Sequence, residues 1–193
     1  MNETRQALLS ATRRCIGRNG LAATTSRDIT AEADANLAAI TYHFGSKDEL
    51  VSEALLDGIR AWLTPTLDVL AGGGDSSARM LIAIQTLVAT FDEHRDEAAI
   101  YLAALVHAGQ DDTLRGGLVE LWTEVRTLLA ADFAALVAGE ELAAWVDPDA
   151  MAGALMAVAN GLVLQVHVDP GGPALTDMAG QVGALMLGAR RTA

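Results

Sequence analysis

The sequence predicts an all-α protein: an N-terminal three-helix head carrying a helix-turn-helix, followed by a larger helical body. Three observations predict it. Alanine and leucine dominate a chain that is 51% hydrophobic with only four prolines, and both residues favour helix. Apolar residues recur at helical spacing along most of the chain, with no strand-like alternation of useful length. Helix-start residues stand just ahead of these runs, and glycine-rich breaks separate them. At 193 residues the chain can build one sizeable core or two small domains sharing one.

Residues 4–18 read as the first amphipathic helix. Leu8, Ala11, Cys15 and Ile16 share a face, and Arg5, Arg13, Arg14 and Arg18 lie off it. Asn19-Gly20 stops it, glycine supplying the left-handed cap. In TTSRDITAEADAN (24–36), the Thr25 hydroxyl can accept from the Asp28 amide, and Asp28 completes a capping-box-like start. Ile29 and Ala33 then point inward from a helix of about eight residues that ends near Asp34-Ala35. Asn36 caps a second short helix, 37–44. Two short helices joined by three or four residues make a helix-turn-helix. Ser46 with Glu49 opens a longer helix to about residue 70, which Pro65 is expected to kink or break.

AGGGD (71–75) reads as a flexible joint. Asp75 or Ser76 caps the next helix, whose stripe is Met80, Leu81, Ile84, Leu87, Val88 and Phe91. Further helices are predicted over 96–109, 113–138 and, with Asp147-Pro148 as cap and first turn, 148–168. DPGGP (169–173) is a firm break before a last helix over 174–190. The stretch 150–168 is long and apolar, but Asn160, Gln165 and His167 interrupt it and no Lys/Arg cluster follows closely. A buried helix is expected, and no membrane partner.

Cys15 is the one cysteine, so no internal disulfide can form, and its place on an apolar face predicts a small buried hydrophobe. MNETRQALL shows no charged-then-apolar leader, so a cytoplasmic protein is expected. The net charge of −12 is uneven: residues 1–48 hold six Lys/Arg against five Asp/Glu (+1), the remainder seven against twenty (−13). A near-neutral, Arg-containing head on an acidic body suggests two separate jobs.

Little in the sequence points to catalysis. The histidines are His43, His94, His107 and His167, and Cys15 faces a core. There is no G-x-S-x-G, no glycine-rich phosphate loop leading to lysine, and no Cys/His ligand cluster, so neither an enzyme nor a cofactor or metal is expected. Asp92-Glu93-His94 and Asp111-Asp112 read as solvated surface.

The head is different. In a helix-turn-helix the second helix enters the major groove and its N-terminal residues reach base edges. Here those residues are Leu37, Ala38 and Ala39, then Thr41, Tyr42 and His43. Small residues allow close approach; Leu37, Ala39 and the Thr41 methyl suit thymine methyl groups, and Thr41 can also hydrogen-bond. Tyr42 and His43 carry polar tips suited to phosphate. Lys47, the only lysine, falls in the first turn of the next helix beside free backbone amides, which makes an anion site.

TTSRDITAEADANLAAITYHFGSKDEL (24–50) resembles the DNA-binding signature of TetR/AcrR-family transcriptional regulators. With the helix at 4–18, the resemblance covers about a quarter of the chain; the rest matches only in architecture. It implies DNA contact by Thr25, Leu37, Ala38, Ala39, Thr41, Tyr42 and His43, and phosphate contact by Lys47. Two positions depart from the family pattern. Asp34 stands where the turn glycine is usual, and Asp tolerates the left-handed conformation better than most residues. Thr41 stands where tyrosine or asparagine is usual, which removes one long contact.

The resemblance further implies a DNA-binding domain at 1–48 and a ligand-binding and dimerisation domain at 49–193. The last two helices are apolar on most sides, through Met151, Leu155, Val158, Leu162, Val166, Leu175, Met178, Val182, Leu185 and Met186. Gly153, Gly161, Gly180 and Gly183 permit close approach, so a two-fold four-helix bundle is the expected dimer. Trp62, Phe91, Tyr101, His107 and Trp122 point to a pocket for an effector. The expected function is a ligand-responsive, homodimeric DNA-binding regulator, a repressor released from a palindromic double-stranded operator by a small molecule. The alternative is a small helical ligand binder or enzyme whose helix-turn-helix is a relic.

Overall fold

The computed structural model describes residues 3–93 and 95–187. Nine helices are seen among the described residues: α1 (Glu3–Asn19), α2 (Ser26–Glu32), α3 (Leu37–Phe44), α4 (Lys47–Ala71), α5 (Ser76–Glu93), α6 (Arg95–His107), α7 (Asp112–Ala138), α8 (Pro148–Val168) and α9 (Leu175–Leu187). They make two compact units. One holds α1–α3, α4 as far as Trp62, α6, and α7 as far as Glu120; the other holds the remainder of α4 and α7 with α5, α8 and α9.

Local chemistry sets the boundaries in the first unit. Thr25 caps α2 with both capping-box bonds made: its Oγ1 accepts from the Asp28 amide at 3.2 Å and its own amide donates to Asp28 Oδ2 at 2.9 Å. Asp34 then takes a left-handed φ of 50° in the turn. Asn36 Oδ1 accepts from the Ala39 amide at 2.9 Å to start α3. Gly45 ends it at φ 84°, where a Cβ would meet the Glu49 carboxylate. Ser46 Oγ accepts from the Glu49 amide at 3.1 Å to start α4. Leu8, Leu9, Ala11 and Cys15 of α1 pack with Ile29, Ile40, Phe44, Leu50 and Ala54 as the core beneath these turns. Burying a Leu or Phe of this kind stabilises by about 1.5–3 kcal/mol.

In the second unit Asp75 caps α5 through the Ala78 amide and Asp147 caps α8 through the Ala150 amide, each at 2.8 Å, with Pro148 in the first turn. The core joins Leu70, Met80, Leu129, Phe133, Leu136, Leu142 and Ala152. Beside it lies an ion pair between a buried carboxylate and a half-buried guanidinium. Asp132 is 2% exposed and takes Arg79 Nε at 3.1 Å on both oxygens. Arg79 Nη1 also donates to the carbonyls of Gly72 and Gly74, both at 3.1 Å, so the glycine-rich joint is held by a side chain.

Two expectations change. Pro65 lies inside α4, and the helix runs through it unbroken; the missing amide removes only one rung from the helix. The last helix is described as far as Leu187, and residues 188–190 of its expected span lie outside the described residues. The other change concerns α8, which is not buried by its own chain: only 11% of its apolar window, of mean hydropathy 1.6, is buried. Ala152 and Val163 are enclosed, and Met151, Leu155 and Met156 lean onto the core. Met151 and Leu155 are therefore packed within the subunit. The exposed apolar face carries Val158, Leu164 and Val168, the last 73% exposed. Leu162, Val166, Met178 and Val182 are half-buried, Leu175 is buried, and the side chains of Leu185 and Met186 lie outside the described residues.

Candidate functional site

α3 divides cleanly into two faces. Ile40 and Phe44, four residues apart, enter the core. Leu37, Ala38, Thr41 and Tyr42 face outward, Leu37 50% and Tyr42 82% exposed. A leucine and a tyrosine thus both stand in water on an eight-residue helix. His43 is half-buried, its ring edge-on to Tyr42 at 4.8 Å and to Phe44 at 6.3 Å. Ala39 lies at the edge of the core. It is half-buried and packs against the head core, so its methyl has only one side to offer.

The head's six cations are mostly engaged internally. Arg5 pairs with Glu53, Arg13 with Asp57, and Arg14 and Arg18 both with Glu32, at 2.7 and 2.5 Å. The Arg18 and then the Arg14 guanidinium hold the Glu32 carboxyl below its usual range, and Glu32 raises Arg18 in return. These pairs fasten helices and leave little net field.

The two other cations lie next to α3. Lys47 is half-buried and its Nζ donates to the Thr24 carbonyl. An ammonium has three donors and this bond takes one, so two are left. Arg27, exposed in the first turn of α2, has no carboxylate partner among the described residues. Nothing local distinguishes Arg27 from the head's other arginines; only their tertiary pairing does. Thr25 is exposed, but its hydroxyl accepts from the Asp28 amide and donates to Asp28 Oδ2 at 2.6 Å. The Thr25 hydroxyl and amide, in that order, hold the Asp28 carboxyl low, with a smaller contribution from the charge of Lys47.

The aromatic residues expected around an effector divide between the two units. In the first, Trp62 and Tyr101 are buried with ring centroids 5.7 Å apart, and His107 is half-buried. In the second, Phe91 is buried and Trp122 half-buried. His107 stands 3.8 Å from Asp111, which accepts from Ser52 Oγ at 2.5 Å. A serine, an aspartate and a histidine thus meet, but the carboxylate accepts the serine proton, and Ser52 is buried. A nucleophilic triad needs the imidazole in that place.

The second unit contains a groove of about 960 Å³ between α5, the end of α7 and α9. None of the five expected pocket residues lines it. Its walls come from residues 77–89, 133–142 and 176–184, a constellation that no local pattern announces.

Residues 8–54 match bacterial regulatory proteins of the tetR family, and residues 76–186 match the C-terminal part of BetI-type transcriptional repressors. The chain belongs to the TetR family of transcriptional regulators. This TetR-family protein is 30% identical over 124 residues, 64% of its length, to the HTH-type transcriptional repressor KstR2 of Rhodococcus jostii (strain RHA1). The match spans 60% of that relative's length. Among solved structures it superposes on a TetR transcription regulator from Haloarcula marismortui ATCC 43049 with a TM-score of 0.88, at 18% identity, covering 99% of this chain and 100% of the other. A transcriptional regulator from Saccharomonospora viridis in complex with choline gives 0.83 at 22% identity, with 96% of each chain covered. At these identities the likenesses are of fold. The α2–α3 turn of the TetR-family head carries Asp34 in the left-handed conformation.

Proposed function

We propose that this TetR-family chain is a homodimeric, ligand-responsive repressor that binds a palindromic double-stranded operator with α3 and works in the cytoplasm. One observation carries the reading: α3 is anchored through Ile40 and Phe44 while Leu37, Thr41 and Tyr42 stand free on its outer face. Residues 1–48 serve as the DNA-binding domain and residues 49–193 as the ligand-binding and dimerisation domain. Leu37, Ala38 and Thr41 are placed on base edges, with Ala39 as a lesser contact beside them. Tyr42, His43, Lys47 and Arg27 are placed on phosphates, with Thr25 as a DNA contact beside them at the start of α2.

Dimerisation is assigned to α8 and α9, through Val158, Leu162, Leu164, Val166, Val168, Met178, Val182 and Leu185. The support is a 21-residue apolar helix left mostly uncovered by its own chain. The effector is a small molecule taken up by the body; that a relative of this fold was solved with choline bound supports such a role. Trp62, Tyr101 and His107 within the first unit, and Phe91 and Trp122 within the second, remain proposed supports of that response rather than walls of one shared pocket. An effector releases the operator by favouring one spacing of the two α3 helices over another, the only handle a ligand has on DNA affinity.

The test is selection of bound fragments from genomic DNA by the purified full chain, followed by titration at several salt concentrations. Enrichment of a palindromic sequence with salt-dependent affinity is expected. Binding without sequence preference at every salt concentration would contradict the reading.

A further inference from the structure

The α5/α7/α9 groove differs from a general apolar crevice in its charge. Its walls are carbon-rich, with Leu81, Ile84 and Val88 on one side and Phe133 and Leu136 on another. No lysine or arginine lines it, and its single charged lining residue is Glu141, in the turn after α7. Glu141 Oε2 accepts from Ser77 Oγ at 2.9 Å. Among the described residues Glu141 has no cationic partner, because Arg79, in the same stretch of α5, is committed to Asp132. The field of the whole body, −13 over residues 49–193, has the same sign. The α5 N-terminus, which alone would draw anions, is already capped by Asp75.

The third wall is made of small residues. Gly180 and Gly183 face open space where a Cβ would stand, and Ala179 and Ala184 flank them. A volume of about 960 Å³ is at the upper end of what drug-sized ligands occupy. It exceeds the need of a bare ammonium headgroup and suits one with an apolar tail. Tail burial supplies affinity in proportion to area, and the unpaired carboxylate selects the sign of the head.

From these features we infer that the groove binds a cationic amphiphile, with its ammonium head at Glu141 and its hydrocarbon tail along α5 between Phe133 and the glycines of α9. The inference rests on the regulatory reading for its biological use, and deepens it by naming the chemistry of the effector.

The experiment is calorimetric titration of the full chain, without DNA, with decyltrimethylammonium, decanoate and decanol below their aggregation limits. One decyltrimethylammonium per subunit is expected, with decanoate at least tenfold weaker. Glu141 is exposed, so Glu141→Gln should weaken the cation about two- to fivefold, as for an ion contact at a solvent-exposed site, and leave decanol unchanged. Gly183→Leu, which fills the groove, should abolish binding of both. Equal affinity of wild type and Glu141→Gln for the cation, or undiminished binding by Gly183→Leu, would overturn the proposal. So would a wild type that binds no amphiphile while Gly183→Leu dissociates the dimer, since the groove would then belong to a second copy of the chain. Operator binding by the same preparations, without cation, separates the two readings. Cation binding with no operator binding removes the regulator and leaves the site; operator binding without charge preference does the reverse.

Discussion

Lys47 Nζ donates to the carbonyl oxygen of Thr24, the residue just before the cap of α2. The first residue of α4 thereby holds the start of α2. One ammonium can tie two helix starts together and still present two donors to a phosphate oxygen.

Lys47→Ala is therefore expected to act twice. It should weaken operator and scrambled duplex alike, and lower the salt slope by about 0.9 in log–log units for each phosphate left unneutralised per subunit. It should also lower head stability by about 1 kcal/mol, because the hydrogen bond to Thr24 is no longer made. Titrations at several salt concentrations and a thermal melt check both; an unchanged slope removes Lys47 from the phosphate.

Thr41→Ala is expected to differ. Thr41 is exposed while Ile40 and Phe44 enter the core, so its removal should cost about 1–3 kcal/mol on the preferred operator and little on scrambled DNA. Arg27→Ala should behave as Lys47→Ala does for DNA, but without the fall in stability, since Arg27 pairs with no carboxylate among the described residues. Equal weakening of Thr41→Ala on both duplexes would place α3 outside the groove.

The head turns were legible because their chemistry is local. Thr25 with Asp28, Asn36 with Ala39 and Ser46 with Glu49 each close within three residues, so spacing alone carries the signal. Asp34 is readable for the same reason, since a left-handed turn position admits few side chains. The face of α8 was not legible. A helix apolar on every side has no phase, so Met151 and Leu155 looked equivalent to Val158 and Leu164 until packing turned the first pair inward. The engagement of the arginines and the groove at Glu141 were hidden by sequence distance: Arg5 reaches Glu53, and Ser77 reaches Glu141.

Leu164→Glu and Val168→Glu are expected to give folded monomers at micromolar concentration, because both side chains leave the subunit's own core untouched. Leu155→Glu should instead lower stability by several kcal/mol, since it forces a charge against the second core. Sedimentation velocity with a melting curve distinguishes them. A Leu164→Glu protein that stays dimeric would move the interface elsewhere.

Asp132→Ala is expected to cost about 1.5–3 kcal/mol, because it removes the buried carboxylate partner of a half-buried Arg79 guanidinium that keeps its bonds to the Gly72 and Gly74 carbonyls. The measurement is denaturant unfolding, and a change below about 1 kcal/mol would show that water reaches Arg79.

Acid should loosen the first unit through Asp111. Its carboxyl accepts from the Leu114 amide, from Ser52 Oγ and faces His107; the first two, in that order, are the main causes holding it below its ordinary range. A group lowered on folding adds stability above its unfolded value, near 4, and loses it as pH falls through the folded value. Asp111→Asn should cost about 1 kcal/mol at pH 7, and progressively less as pH falls below the unfolded value near 4 and through the folded one. A pH-independent difference in melting would assign the effect to packing.

The most direct measurement is hydroxyl-radical footprinting of the purified protein on its selected operator. Two protected patches on one face of the duplex are expected, their centres about 10 base pairs or ~34–36 Å apart, or a multiple of that. Both should vanish together for Leu164→Glu at concentrations that saturate the wild type. A single protected patch, or protection that survives in the monomer, would contradict a dimer that reads DNA with two copies of α3.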